Sequence, residues 1–231
     1  MQFDTIFFDI GNTLFFFNYE FLQELLAQRF SISLPASEIE VKHEAVKRSI
    51  VDEGLVGRLT HDELWWEINR RWLVSLGIDD EMVKPIAEAV RNHPFSHLFW
   101  SRMDEGTPEM LDWFRGRGFK LGVISNAEGQ IKRLIQHARL EDFFGAVIDS
   151  GEVGFSKPDR RIFSHAMDIM QAKPSGSVYV GDLFEVDVMG ARAAGLTPIL
   201  VDRDGRRQGK ADCITVSRAV ELPKLDIFAD R

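Results

Sequence analysis

Five short apolar runs punctuate the chain: Thr5 to Asp9, Lys120 to Ser125, Ala146 to Asp149, Ser177 to Gly181 and Thr197 to Val201. Each is brief, rich in β-branched or aromatic residues and bounded by Gly, Asp or Ser, the pattern of a strand buried on both faces. Helical spacing fills most of the intervals. Thr107 and Pro108 suit the cap and first turn of a helix through Phe114, which Gly116 or Gly118 can stop. Strands alternating with helices imply right-handed crossovers and a mostly parallel sheet, so the predicted fold is a doubly wound α/β core.

The stretch from about Phe15 to about Phe99 has helical spacing and no convincing strand. Phe21, Leu22, Leu25 and Leu26 share one helical face, and a second helix is predicted over Glu38 to Val51. Thr60 and Glu63 have capping-box spacing ahead of Trp65, Trp66, Ile68, Trp72 and Leu73, a helix ending near Gly77. A fourth helix runs from about Asp80 to Asn92, stopped by Pro94. The pattern therefore predicts a core of residues 1–14 and 100–231, interrupted by a helical insert over 15–99.

Composition narrows the class. With 231 residues and 45% hydrophobic positions, the chain can fill one well-buried domain and a smaller insert. A net charge of −8 works against nucleic acid or an anionic membrane as partner, but not against a small anion, which responds to the local field of its pocket. The single cysteine, Cys213, permits no internal disulfide or cysteine-based metal site, points to a reducing cytoplasmic compartment, and reads as an apolar filler. The opening MQFDTIFFDI has no basic leader, and no run is long enough to span a bilayer. The six histidines lack metal-ligand spacing, and the run from Asp202 to Lys210 reads as a solvated turn before a last strand. Nothing in the pattern assigns an oligomeric state.

The candidate chemistry sits where the buried strands end. Asp9 closes the first run, Ser125 and Asn126 the second and Asp182 the run SVYVGD, while Lys157 stands before Pro158 and a following helix. In an open parallel sheet the carboxyl ends of the strands form the ligand crevice, so these residues are expected to converge there. Taken singly, an Asp after a strand is more often a helix cap or turn former, and Ser125 and Asn126 suit capping of a helix near Glu128.

Together the residues resemble the haloacid dehalogenase superfamily. FFDIGNTL resembles its first motif, VISN its second, Lys157-Pro158-Asp159 its third and GDLFEVDVMGARAAG its fourth, in order across the chain, with the insert where that family carries a helical C1-type cap. The resemblance implies a Mg²⁺-dependent hydrolase, most simply a phosphatase of a small phosphorylated metabolite. It makes Asp9 the covalent nucleophile and Lys157 and Ser125 its catalytic partners, with Gly11, Asn12, Ser125, Asn126 and Lys157 around the phosphate. It places the metal at Asp9, the Gly11 carbonyl and Asp182, with Asp187 in the outer shell. The chemistry is coherent, because a carboxylate can attack a phosphate dianion only if cations neutralise the phosphoryl oxygens. Mg²⁺ prefers such oxygen ligands. Gly181, Gly190 and Gly195 read as turn and packing glycines.

Gly11 departs from the family pattern, which carries a second aspartate two residues after the nucleophile. That carboxylate protonates the leaving oxygen, a contribution of roughly 10²- to 10⁴-fold. Its absence suits a leaving group that needs no proton, such as an acyl phosphate, or an acid supplied by the cap, where Arg58, His61 and Glu63 are candidates. It also suits a metal-independent 2-haloacid dehalogenase, although the complete GDxxxxD argues for the metal-dependent branch. A phosphonatase-like enzyme would use a cap lysine, Lys42 or Lys47. A non-catalytic binding protein on the same fold is the reading from another class. Phe15 to Phe17 read as packing between core and cap, and of Trp65 and Trp66, about 100° apart on a helix, at most one can face a crevice.

Overall fold

The computed structural model describes residues 3–229 apart from 57, 128, 208 and 210, and excludes the side chain of His61. In chain order the elements begin with strands β1 (Thr5–Phe8) and β2 (Phe15–Phe16) and helices α1 (Tyr19–Phe30), α2 (Ala36–Asp52), α3 (His61–Ser75) and α4 (Asp80–Arg91). There follow β3 (Arg102–Met103), α5 (Thr107–Gly116), β4 (Lys120–Ser125), α6 (Ile131–His137), β5 (Ala146–Asp149), α7 (Ser150–Val153) and α8 (Arg160–Met170). The chain ends through β6 (Ser177–Gly181), α9 (Met189–Ala193), β7 (Thr197–Val201) and β8 (Ile214–Val216). The chain divides into two compact units, Met1–Phe16 with Trp100–Arg231, and Phe17–Phe99.

The first unit is built on a six-stranded sheet of order β5-β4-β1-β6-β7-β8, every neighbouring pair parallel. This is the doubly wound α/β fold expected from the strand–helix alternation. β1 is flanked by β4 and β6, and the chain works outward first on one side of it and then on the other. β1 therefore borders the switch point, where the carboxyl ends open a crevice.

Period-two alternation assigns the two faces. Ile6 and Phe8 of β1, Leu121 and Val123 of β4, and Val178 and Val180 of β6 pack with Met110, Leu111 and Phe114 of α5. Phe7, Ile124 and Tyr179 face the other way, onto Ile162, Phe163 and Ala166 of α8. The buried positions of α8 recur at helical spacing, Ile162, Phe163, Ala166, Met167 and Met170, so one stripe covers that face.

Two features escaped the sequence pattern. β2 and β3 pair antiparallel, Phe15 with Met103 and Phe16 with Arg102, a ribbon too short to show alternation. Cys213, read as a buried filler, is only half-buried. The turn after β7 leads into β8, but Gln208 and Lys210 within it lie outside the described residues.

The second unit is helical. Asn18 caps α1 through Phe21 N–H. Thr60 and Glu63 form the capping box of α3, with Glu63 accepting from Thr60 N–H at 2.8 Å and donating its own N–H to the Thr60 hydroxyl at 3.3 Å. Glu63 is thereby spent on the helix start, and the His61 side chain lies outside the described residues. Lys47 pairs with Glu44, whereas Lys42 is exposed. Trp72 donates its indole N–H to Ile39 O at 3.0 Å and stacks on the buried His43 ring, centroids 4.0 Å apart. Among the described residues no helix is long and apolar enough to cross a membrane.

Candidate active site at the carboxyl edge of the sheet

The strand register brings the candidates together. Phe8 aligns with Val123 of β4 and with Val180 of β6. Asp9, one residue on, donates its N–H to Val180 O at 2.8 Å, so it continues β1 to the level of Ile124 and Gly181. Ser125, buried, and Asp182, partly exposed, stand one residue beyond on either side.

At the centre is Lys157, only 5% exposed. Its Nζ donates to Asp9 Oδ1 at 2.6 Å, to the Tyr179 hydroxyl at 2.7 Å and to Asp187 Oδ1 at 2.8 Å. Three acceptors match the three donors of an ammonium. Tyr179 is wholly buried, and its hydroxyl donates onward to Ile124 O at 3.0 Å. The main chain of Lys157 is fixed as firmly: its N–H donates to Asn126 Oδ1 at 2.8 Å, and Asn126 Nδ2 donates to Lys157 O at 2.9 Å. The Asn126 amide thus clasps the lysine segment.

Asp187 reaches the cluster because the chain after Leu183 forms a wide π-type turn over Phe184–Val188. Leu183 N–H donates to Asp187 Oδ2 at 2.9 Å while Asp187 N–H returns to Leu183 O at 2.7 Å. Glycine at 181 makes room for it, since an added Cβ would lie 2.6 Å from Asp187 Oδ2. Gly11 bridges to Phe15, and Asn12, with φ of 56°, donates its N–H to Phe15 O at 2.7 Å. The Asn12 main-chain amide is therefore engaged within the turn. In the same turn the Thr13 hydroxyl is buried without a hydrogen-bond partner among the described residues.

The electrostatics follow from burial. Desolvation pushes the Asp9 carboxyl up to about 6, opposed by the Lys157 charge and reinforced by that of Asp187. Burial pulls the Lys157 ammonium down, but the adjacent Asp187 and Asp9 carboxylates outweigh it and hold the pKa above the usual lysine value. Burial and then Asp187 push the Tyr179 phenol well above its ordinary range, so it stays a neutral donor.

One carboxylate oxygen each from Asp9, Asp182 and Asp187 lies within 4.8 Å of the others. Three converging carboxylates form an all-oxygen donor set that fits a hard divalent cation such as Mg²⁺. Asp187, with Oδ1 on Lys157 and Oδ2 on Leu183 N–H, is suited to orienting the lysine, while Asp9 and Asp182 offer the more direct ligands.

Tyr179 was not singled out from sequence. Its signal was a phenol inside a strand buried on both faces, where a hydroxyl must find a partner.

A family model described as haloacid dehalogenase-like hydrolase matches residues 3–195. Haloacid dehalogenase-like hydrolase domain-containing protein 3 of Bos taurus is 32% identical over 160 residues, which cover 69% of this chain and 63% of that protein. Pyrimidine 5'-nucleotidase YjjG of Escherichia coli is 28% identical over 236 residues, 97% of this chain and 98% of its own length. Among solved structures, the HAD-hydrolase YfnB of Bacillus subtilis, bound to magnesium, aligns with a TM-score of 0.74 at 18% identity, covering 97% of this chain and 98% of that one. That likeness speaks for the fold.

Proposed function

Given that this chain belongs to the haloacid dehalogenase-like hydrolase family, we propose that it is a phosphatase that passes a phosphoryl group from a small phosphorylated metabolite to Asp9 and then to water. The observation that carries this reading is the Lys157 ammonium, 2.6 Å from Asp9 Oδ1 inside a buried group of carboxylates. The nucleotidase relative supports phosphoryl transfer as the reaction class.

Asp9, Asp182 and the Gly11 carbonyl would hold Mg²⁺, with Asp187 behind them. Bound there, the ion supplies positive charge for the phosphoryl oxygens. The protein's own groups do the rest. Lys157 engages Oδ1 of Asp9, leaving Oδ2 to attack phosphorus, and its charge offsets the repulsion between carboxylate and phosphate. Ser125 donates to a phosphoryl oxygen. Asn126, through its clasp on the Lys157 main chain, keeps the ammonium aimed, and Asn12 borders the phosphate. The helical unit Phe17–Phe99 is assigned the role of a substrate-selecting cap.

The test measures phosphate release from a panel of phosphomonoesters and acyl phosphates, with Mg²⁺ and with EDTA, for the protein and for Asp9→Asn. Mg²⁺-dependent release that the variant lacks is expected. Equal release by both proteins would overturn the assignment of Asp9. Because Gly11 has no proton to give, a haloacid is the second reading, and halide release that persists in EDTA would favour it.

A further inference from the structure

Position 11 carries no side chain, and its backbone is not the reason, since Gly11 is not among the glycines of positive φ. The reason is a neighbour. A Cβ built on Gly11 would stand 3.3 Å from Cζ3, 3.7 Å from Cη2 and 3.8 Å from Cε3 of Trp100. Optimal carbon–carbon contact is about 3.5–4.0 Å, so even the methyl of alanine presses on the six-membered ring.

The indole is partly buried and packs against the hydrophobic cluster that includes Ile6, Phe8, Met110 and Phe114. It is also tied to Gly11 through the backbone: Gly11 bridges to Phe15, and Phe15 pairs with Met103, three residues beyond Trp100. The turn after Asp9 and the segment bearing Trp100 are thus held in register by the β2–β3 ribbon.

We propose that Trp100 is a specificity-determining residue, whose indole takes the side-chain volume of position 11 beside the nucleophile and confines the enzyme to leaving groups that depart without a proton, acyl and aryl phosphates. This rests on the phosphatase reading. In the first step an Asp9 carboxylate oxygen bonds to phosphorus as the bond to the leaving oxygen breaks, and the electron pair leaves as a carboxylate or phenolate. Water then bonds to phosphorus, the bond to Asp9 breaks, and the water proton passes to solvent. Neither the methylene of Gly11 nor an indole ring can supply a proton to an alkoxide, whose departure requires one.

The experiment compares the protein with Gly11→Asp, Trp100→Ala and the double variant, each with Mg²⁺, on acetyl phosphate, p-nitrophenyl phosphate and glycerol phosphate. The unaltered protein should prefer the first two by about 100-fold or more in kcat/KM. Gly11→Asp alone should lose activity on all three, and the double variant should exceed Trp100→Ala on glycerol phosphate by about tenfold. Equal rates on acyl and alkyl substrates in the unaltered protein would overturn the proposal.

Thermal unfolding provides a readout independent of substrate. Gly11→Ala should lower Tm by about 2–4 °C or more with Trp100 present, and by less than half of that beside Trp100→Ala. Equal shifts in the two backgrounds would overturn the packing claim. If no phosphate compound is hydrolysed, the phosphatase reading fails while the melting cycle still decides whether Trp100 holds the space. Trp100→Phe takes the place of the alanine variant if that variant does not fold.

Discussion

Replacing Lys157 by Met keeps an unbranched chain of similar length in a pocket where only 5% of the residue is exposed, and removes the charge. Two ion pairs vanish, at 2.6 Å to Asp9 and 2.8 Å to Asp187, together with the bond to Tyr179. Three carboxylates remain with oxygens within 4.8 Å of one another. At an effective dielectric of about 20, two unit charges at that separation repel by about 3.5 kcal/mol. Breaking a buried pair from one side costs about 3–5 kcal/mol by the same physics. In metal-free buffer the variant should therefore lose about 3–5 kcal/mol, a large share of the roughly 5–15 kcal/mol that holds a typical domain together.

Mg²⁺ makes the test sharper. A divalent cation compensates the same carboxylates, so it should stabilise Lys157→Met more than the unaltered protein. At one hundred times its dissociation constant a ligand contributes about 2.7 kcal/mol, enough to recover much of the loss. Urea unfolding in EDTA and in excess Mg²⁺ measures both quantities. A loss below about 1 kcal/mol, or an identical response of the two proteins to Mg²⁺, would refute the view that amine and metal share one charge balance.

Two other outcomes are expected. Tyr179→Phe removes the hydroxyl between Lys157 Nζ and Ile124 O, so kcat should fall about tenfold with KM unchanged, at a stability cost of about 1–3 kcal/mol for the buried groups left unpaired; a KM effect alone would show that the hydroxyl does not aim the ammonium. His43, buried against Trp72 and Phe17 and 3.0 Å from the Tyr19 hydroxyl, is held neutral far below the usual imidazole range by burial and then by Lys47. Its folded pKa is depressed, so its contribution is complete above the unfolded value of about 6.5 and is lost as pH falls, by up to about 1.4 kcal/mol per pH unit. His43→Phe should flatten this part of the stability curve in urea titrations below neutral pH, and parallel curves would exclude the imidazole as the source.

Much of the core was legible because buried parallel strands announce themselves as short apolar runs. Lys120–Ser125, Ala146–Asp149, Ser177–Gly181 and Thr197–Val201 are strands over the spans that the hydrophobicity marks. β1 ends one residue early, at Phe8, yet Asp9 still follows it in register. The capping box at Thr60 was equally plain, since its chemistry is complete within four residues. The ribbon β2–β3 was not, because its strands are two residues long and 85 residues of chain separate Phe16 from Arg102.

Local pattern by itself determined which apolar runs would form the buried strands, which strand ends would carry Asp9, Ser125 and Asp182, and that the sheet would be parallel. The tertiary structure alone decided how those groups are wired: Asn126 on the Lys157 main chain, Tyr179 as third acceptor for its amine, Asp187 folded back by a wide turn, Trp100 against Gly11. Periodicity reports whether a side chain faces water or core, a property of neighbours three or four residues away. A hydrogen bond between residues far apart in sequence depends on register and on the last ångström of packing, which only the assembled sheet supplies.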